Sequence, residues 1–385
     1  HTIPNYPELL SIGIGGMLAK VEASKNKTPE LAGMKLSLEA FSEFIAEYAK
    51  LDASGRLAHI AMRSPRSFLE AVQLVWLTHL ALSLEGRGHD ALGRLDQWLL
   101  PFYEADLAAG RLDREGALNI VCHLWCMVEG MHEITNICIG GQKPDGSDAT
   151  NELSYLCLEA TKLVRSPSTN LSARFHAKSP ERYHLACADV IITGIGFPAI
   201  FNDAPCVSAL QKCGIPLADA RTFAMVGCIE PIIPGRQQAW GDSRFNTPQF
   251  LLQAIDDFPE EGPRSFDELL SRLYVRIKEG VNRHAEEINN MIASYLAAKF
   301  PDPFLSALTS DCILRGMDIN GGGSEFKRLH GIAAMGLGTL ADSLAAIKNL
   351  VIEEKSVSFA ELRTALKSDF ADAEALRQHL LNGAP

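Results

Sequence analysis

The chain has 385 residues, 47% hydrophobic and 22% charged, with 36 Lys and Arg against 47 Asp and Glu for a formal net charge of -11. That length and apolar content suffice for a large core, and basic residues scattered along the chain argue against nucleic acid as partner, since binding its backbone needs concentrated positive charge. Apolar runs such as Ile191 to Ile200 are too short and too interrupted by Gly and Pro to span a bilayer, so no membrane is expected.

In chain order, the first half reads as long helices. Pro65 to Leu82 places Phe68, Val72, Val75, Trp76 and His79 at helical spacings, with Pro65 near a natural start. A second helix is predicted from Arg114 to Ile134 and a third from Ala149 to Val164, where Leu153, Leu156, Ala160 and Leu163 line one face. Gly140-Gly141 and Asp145-Gly146 mark the loop between them. Asn170 to Phe175 reads as a short strand, Val190 to Ile192 as an apolar element ending in a turn, and Ala224-Met225-Val226 as a buried strand leading into Gly227. Helices return over Phe266 to Lys299, Gly338 to Val351 and Phe359 to Lys367, with Gly321-Gly322-Gly323 turning the chain between the first two. Short apolar elements alternating with helices predict an α/β architecture. No Pro/Gly/Ser-rich linker divides the chain, so one large fold, or a piece of one, is expected. Nine cysteines in a chain this long are not a disulfide scaffold, and a reducing cytoplasm is the simplest compartment. The opening His1-Thr2-Ile3-Pro4 carries no secretory leader pattern.

The run Gly227-Cys228-Ile229-Glu230-Pro231 is the most informative stretch. Pro231 biases Glu230 toward extended backbone, where side chains two apart leave on the same side. At roughly 3.3 Å per residue the two Cα atoms are expected about 6.6 Å apart, room for one small substrate. By residue type alone a cysteine is more often a buried structural thiol, as expected for Cys122, Cys187 and Cys312 in apolar segments. A carboxylate opposes thiolate formation, so a Cys228 nucleophile of the hydrolase kind lacks the cationic helper it needs. A neutral thiyl radical has no such difficulty: it removes a hydrogen atom while Glu230 separately takes a proton.

Other clusters admit a plain alternative. Asp242 and Arg244 read equally as a surface ion pair or, for Asp242, as an acceptor of a substrate hydroxyl. Glu85-Gly86-Arg87-Gly88-His89-Asp90 reads as a solvated turn or as a site lining in which His89 and Asp90 bind hydroxyls, while Arg94 and Asp96 tie the turn to its surroundings. Asn202 and Asp203 suit a cap or turn. Cys122, His123, Cys126, His132, Glu133 and Cys138 lack the second compact pair of a zinc site, and Asn136 stands where a zincin helix needs its second His, so no metal is expected.

Together with Gly227 to Pro231, the stretches Pro65 to His79, Glu85 to Gln97, Asp148 to Glu159, Gly196 to Asp203, Trp240 to Asn246 and Asp342 to Lys348 resemble the glycyl radical enzymes of the pyruvate formate-lyase-like superfamily, in particular their dehydratase and C–X lyase branch. The resemblance implies part of a ten-stranded α/β barrel of two half-barrels with a helix-rich surround and the cysteine loop inside it. Residues 1–385 would be its central portion, without an amino-terminal part and without the carboxy-terminal glycyl radical domain, and so inactive alone. Cys228 would form the thiyl radical, Glu230 would be the general base, and Asp242, His89 and Asp90 would bind substrate, Asp90 standing where such dehydratases can have serine. No cofactor is expected to bind the chain directly. The radical would be installed in the absent domain by a radical SAM activating enzyme, and a homodimer is among the assemblies the family allows. The implied reaction is elimination of water, an amine or a similar group from a small hydroxylated substrate. Formate acetyltransferase-like acyl transfer is the alternative, although Ile229 stands where a second cysteine would be expected; so is an inactive partial homologue that only binds.

Overall fold

The computed structural model describes residues 2–86, 88, 90–239 and 241–383, without the side chains of 293–299. It divides into two compact units, His1–Gly241 with Leu296–Leu329, and Asp242–Tyr295 with His330–Pro385.

In the first unit the helix Phe68–Leu84 begins where Ser67 accepts the Glu70 amide at 3.2 Å, so the cap rather than Pro65 sets its start. The helix from Arg114 stops at Gly130, short of the expected Ile134, because His132 takes a φ of +55° and the chain then straightens into β1 (Thr135–Gly140). Asn151 caps the helix Glu152–Val164, and Ser154 returns a bond to the Asn151 amide. That helix crosses to β2 (Thr169–Phe175), and the helix Glu181–Ile191 crosses to β3 (Ala199–Asn202); Val190 to Ile192 is the end of this second crossover, not a separate element. The three strands are parallel in the order β1-β2-β3, with Asn136 beside Asn170. Both faces of β1 are buried, which is why its sequence shows no polar alternation.

β4 (Ala224–Val226) and β5 (Glu230–Ile232) form an antiparallel hairpin, and β6 (Gly241–Asn246) with β7 (His330–Met335) another two-stranded sheet. The ten-stranded barrel implied by the resemblance is therefore corrected: among the described residues the fold is 57% helix and 11% strand, with three small sheets of three, two and two strands that do not close. Closure requires every strand to be hydrogen-bonded to a further strand on both sides, whereas beyond β1 this parallel sheet continues only as a single bridge from Gly93 to Ile137, and among the described residues it ends at β3. Among the described residues no helix is long and apolar enough to cross a membrane.

Two of the buried polar arrangements in the first unit's core bear on its stability. Arg174 on β2, 0% exposed, meets Asp203 through two 2.8 Å bonds; it also donates to Phe223 O at 2.6 Å, and its guanidinium lies 3.7 Å from the Phe223 ring centroid. Gly141, at φ +80°, must be glycine because a Cβ there would lie 2.6 Å from that guanidinium. Removing one partner of such a pair strands a buried charge, so Arg174→Met should cost about 3–5 kcal/mol in urea denaturation, with much of it recovered when Asp203→Leu is added. An unchanged midpoint for Arg174→Met would show that the pair contributes nothing.

His79, 2% exposed, has its Nε2 3.2 Å from Thr135 Oγ1 at the start of β1, and burial lowers its pKa from 6.5 to about 4. Because the folded value is depressed, the unfolded chain binds the extra proton between these limits, and stability falls as pH drops from 6.5 toward 4. The loss should reach about 3 kcal/mol. Urea titrations at pH 7 and pH 4.5 should show His79→Leu losing this increment; equal pH dependence in both proteins would count against it.

In the second unit Phe245 and Phe250 stack at 4.6 Å within a core that includes Leu251, Ile255, Leu269 and Phe359. The long helix Phe266–Lys299 and the helix Phe359–Lys367 form over the residues that their periodicity predicts, the latter with a Ser358–Glu361 capping box. The element expected over Gly338 to Val351 is a helix, Leu337–Ala346, that widens into a π-helical turn over Ile347–Glu353.

Candidate functional site

Val226 pairs with Glu230, so Gly227, Cys228 and Ile229 are the three-residue loop of the β4–β5 hairpin. Gly227 is buried with φ +58°, a conformation that disfavours any residue bearing a Cβ. The expected extended geometry across residues 228 to 230 is thereby corrected. The chain turns, and the Glu230 carboxylate folds back so that its Oε2 accepts the amides of Cys228 at 2.8 Å and Ile229 at 2.9 Å. Thiol and carboxylate still share one loop. Cys228 is exposed, Ile229 is 64% exposed and Glu230 is half-buried, so the loop is not enclosed as the barrel reading required.

The loop is fastened to the parallel sheet by residues that sequence reasoning did not single out for this purpose. The carbonyl of Cys228 accepts from Asn136 Nδ2 at 3.3 Å and from Asn170 Nδ2 at 3.2 Å, and Ser172 donates to Asn136 Oδ1 at 3.0 Å. All three side chains are buried. The only prior signal was polarity at the start of two strands, which by itself does not reveal a partner 58 or 92 residues away.

The other predicted residues are placed differently. Asp90 is 1% exposed and its Oδ1 accepts the Thr2 amide at 3.0 Å; burial, and after it the Asp90 charge, push the Tyr6 phenol pKa up. His89 lies outside the described residues. Asp242 is exposed on β6 in the second unit, where the next residue, Ser243, has its Oγ 2.6 Å from His284 Nε2 and 3.0 Å from His330 Nε2. Arg94 and Asp96 are architectural as expected: Arg94 donates to the carbonyls of Gly140 and Gln142, and Asp96 accepts from the Gly140 amide and the Ser154 hydroxyl. Asn202 caps the helix Asp203–Lys212.

The cysteines separate by burial. Burial pushes the pKa of Cys138 up to about 11 and those of Cys187 and Cys312 up to about 12, as suits inert core thiols, while Cys228 stands at the hairpin tip. Among the described residues no group of three or more His, Cys, Asp and Glu side chains is arranged to hold a metal ion.

An exposed thiol and a neighbouring carboxylate thus share one hairpin loop that is fastened to the parallel sheet. The pyruvate formate lyase-like family model matches residues 1–385, and the chain belongs to that family. It is 31% identical to the probable dehydratase YbiW of Escherichia coli over 100% of this chain and 56% of that protein. It is 28% identical to the (2S)-3-sulfopropanediol dehydratase of Klebsiella oxytoca over 98% of this chain and 53% of that one. The glycerol-bound B12-independent glycerol dehydratase of Clostridium butyricum superposes with a TM-score of 0.86 at 28% identity, over 100% of this chain and 56% of the other. The chain thus spans about half the length of these relatives.

Proposed function

We propose that residues 1–385 carry the cysteine loop of a glycyl-radical-dependent lyase or dehydratase that eliminates water, an amine or a similar group from a small hydroxylated substrate. The observation that supports this most is the pairing of an exposed Cys228 with Glu230 on one loop, in a family whose relatives include two named dehydratases of small polyols. The glycyl radical, which the proposal places outside these residues, supplies the means of taking the hydrogen atom from the Cys228 thiol. An exposed loop thiol fits that need; a thiol in packed core would not.

In the proposed reaction the Cys228 sulfur takes a hydrogen atom from the substrate carbon bearing the hydroxyl, forming S–H and leaving the carbon with one unpaired electron. Glu230 accepts the hydroxyl proton as the bond to the neighbouring carbon's leaving group breaks, the group departing with the bonding pair. The product radical then recovers a hydrogen atom from the Cys228 S–H. Binding of the substrate hydroxyls is assigned to His89 and Asp242. Asp90, with its carboxylate turned to Thr2, serves in this scheme as support for the segment carrying His89. A radical SAM activating enzyme, a homodimeric assembly and a cytoplasmic location complete the proposal.

The test is anaerobic coexpression of the full coding sequence with its activating enzyme, followed by incubation with 1,2-diols, amino alcohols, hydroxyprolines and hydroxysulfonates. The expected result is a glycyl radical resonance together with elimination product from one of these classes. A radical-bearing enzyme that converts none of them would overturn the substrate assignment, and failure to form any radical would overturn the reaction.

A further inference from the structure

A sulfur that abstracts hydrogen must be held within a fraction of an ångström of its target, because transfer between positioned groups depends steeply on geometry. Here the backbone of Cys228 is gripped from both sides. Its amide is held by Glu230 Oε2, and its carbonyl receives two side-chain amides, from Asn136 on β1 and Asn170 on β2. These asparagines are direct neighbours in the parallel register. Their side chains converge on a single acceptor, whose two lone pairs are the number needed to receive both.

The orientation of Asn136 is also determined. The Cys228 carbonyl can only accept and so takes Nδ2 of Asn136, while Ser172 Oγ donates to the Oδ1 at the other end. Neither amide serves the sheet, whose ladder is made by the backbone, and burying polar groups on a strand is unfavourable unless they are bonded. Their position is explained by the loop they hold.

We propose that Asn136 and Asn170, with Ser172 orienting the first, are positioning residues that set where the Cys228 sulfur stands. This rests on the reading of Cys228 as the hydrogen-abstracting group, but the grip itself can be measured without any radical. In the whole chain, mass-spectrometric amide exchange over residues 227–229 and the alkylation rate of Cys228 report on the loop, with exposed Cys213 as internal standard.

Asn136→Leu with Asn170→Leu should raise exchange of the loop amides roughly tenfold and change the Cys228 alkylation rate relative to Cys213, the effect expected when two modest hydrogen bonds are lost. Asn170→Ser alone keeps the Asn136–Ser172 pair and should give a smaller effect of the same sign without unfolding. In the activated full-length enzyme the same variants should lower kcat with KM nearly unchanged and raise the substrate deuterium isotope effect.

Loop exchange and alkylation identical to the parent in both folded variants would overturn the proposal. If the loop loosens but Cys228→Ser retains turnover, the grip stands and the radical role of Cys228 falls.

Discussion

Cys228→Ser should reduce turnover of the activated full-length enzyme to background while residues 1–385 keep their fold. The S–H bond is weak enough to yield its hydrogen to a carbon-centred radical and strong enough, once re-formed, to draw hydrogen from a substrate C–H; the O–H bond of serine is too strong for the first step. Because Cys228 is exposed at a hairpin tip, the substitution opens no cavity, and stability should stay within about 0.5 kcal/mol of the parent. Product formation and the glycyl radical resonance should be followed together. The radical should persist in the variant while product is lost; undiminished elimination would reject the role given to the sulfur.

Glu230 should show two separable effects, because its carboxylate caps the turn and is also the group assigned to take the proton. In Glu230→Gln the remaining carbonyl oxygen can still accept the Cys228 and Ile229 amides that Oε2 now holds, so loop exchange should barely change. Proton acceptance is lost, and kcat should fall by about 10²–10⁴-fold, the range typical of a positioned acid or base. Glu230→Ala removes the cap as well, and there the loop amides should exchange faster. A glutamine variant that turns over normally with an intact loop would leave Glu230 a structural residue alone.

Much of this was legible from local chemistry. Ala224 to Val226 shows as an apolar strand meeting a glycine, and the strand is β4. Phe266 to Lys299 shows its apolar period over its whole length, and the helix has those bounds. Cys228 and Glu230 stand out because a thiol, a carboxylate and a proline within four residues are unusual neighbours. Two strand-related features were not legible. β1 was left within the connection between the second and third helices, since a strand buried on both faces lacks the alternation that marks a strand. The bend at Cys228 was read as extended because Pro231 restrains only the residue before it, whereas the turn is made by Gly227 and closed by a side chain reaching back.

Composition and motif order were enough to point to the family and to single out one loop as the place where chemistry is proposed, because covalent reactivity belongs to residue types and short spacings. Whether the sheets close and whether the thiol is covered were decided by the assembled fold, and what holds the Cys228 backbone was decided by contacts across 58 and 92 residues. Asn136 and Asn170 meet the carbonyl of Cys228 only because the crossover helix Glu152–Val164 brings β1 and β2 into register. Such pairings depend on the free energy of the assembled sheet and leave no mark on the residues beside them in the chain.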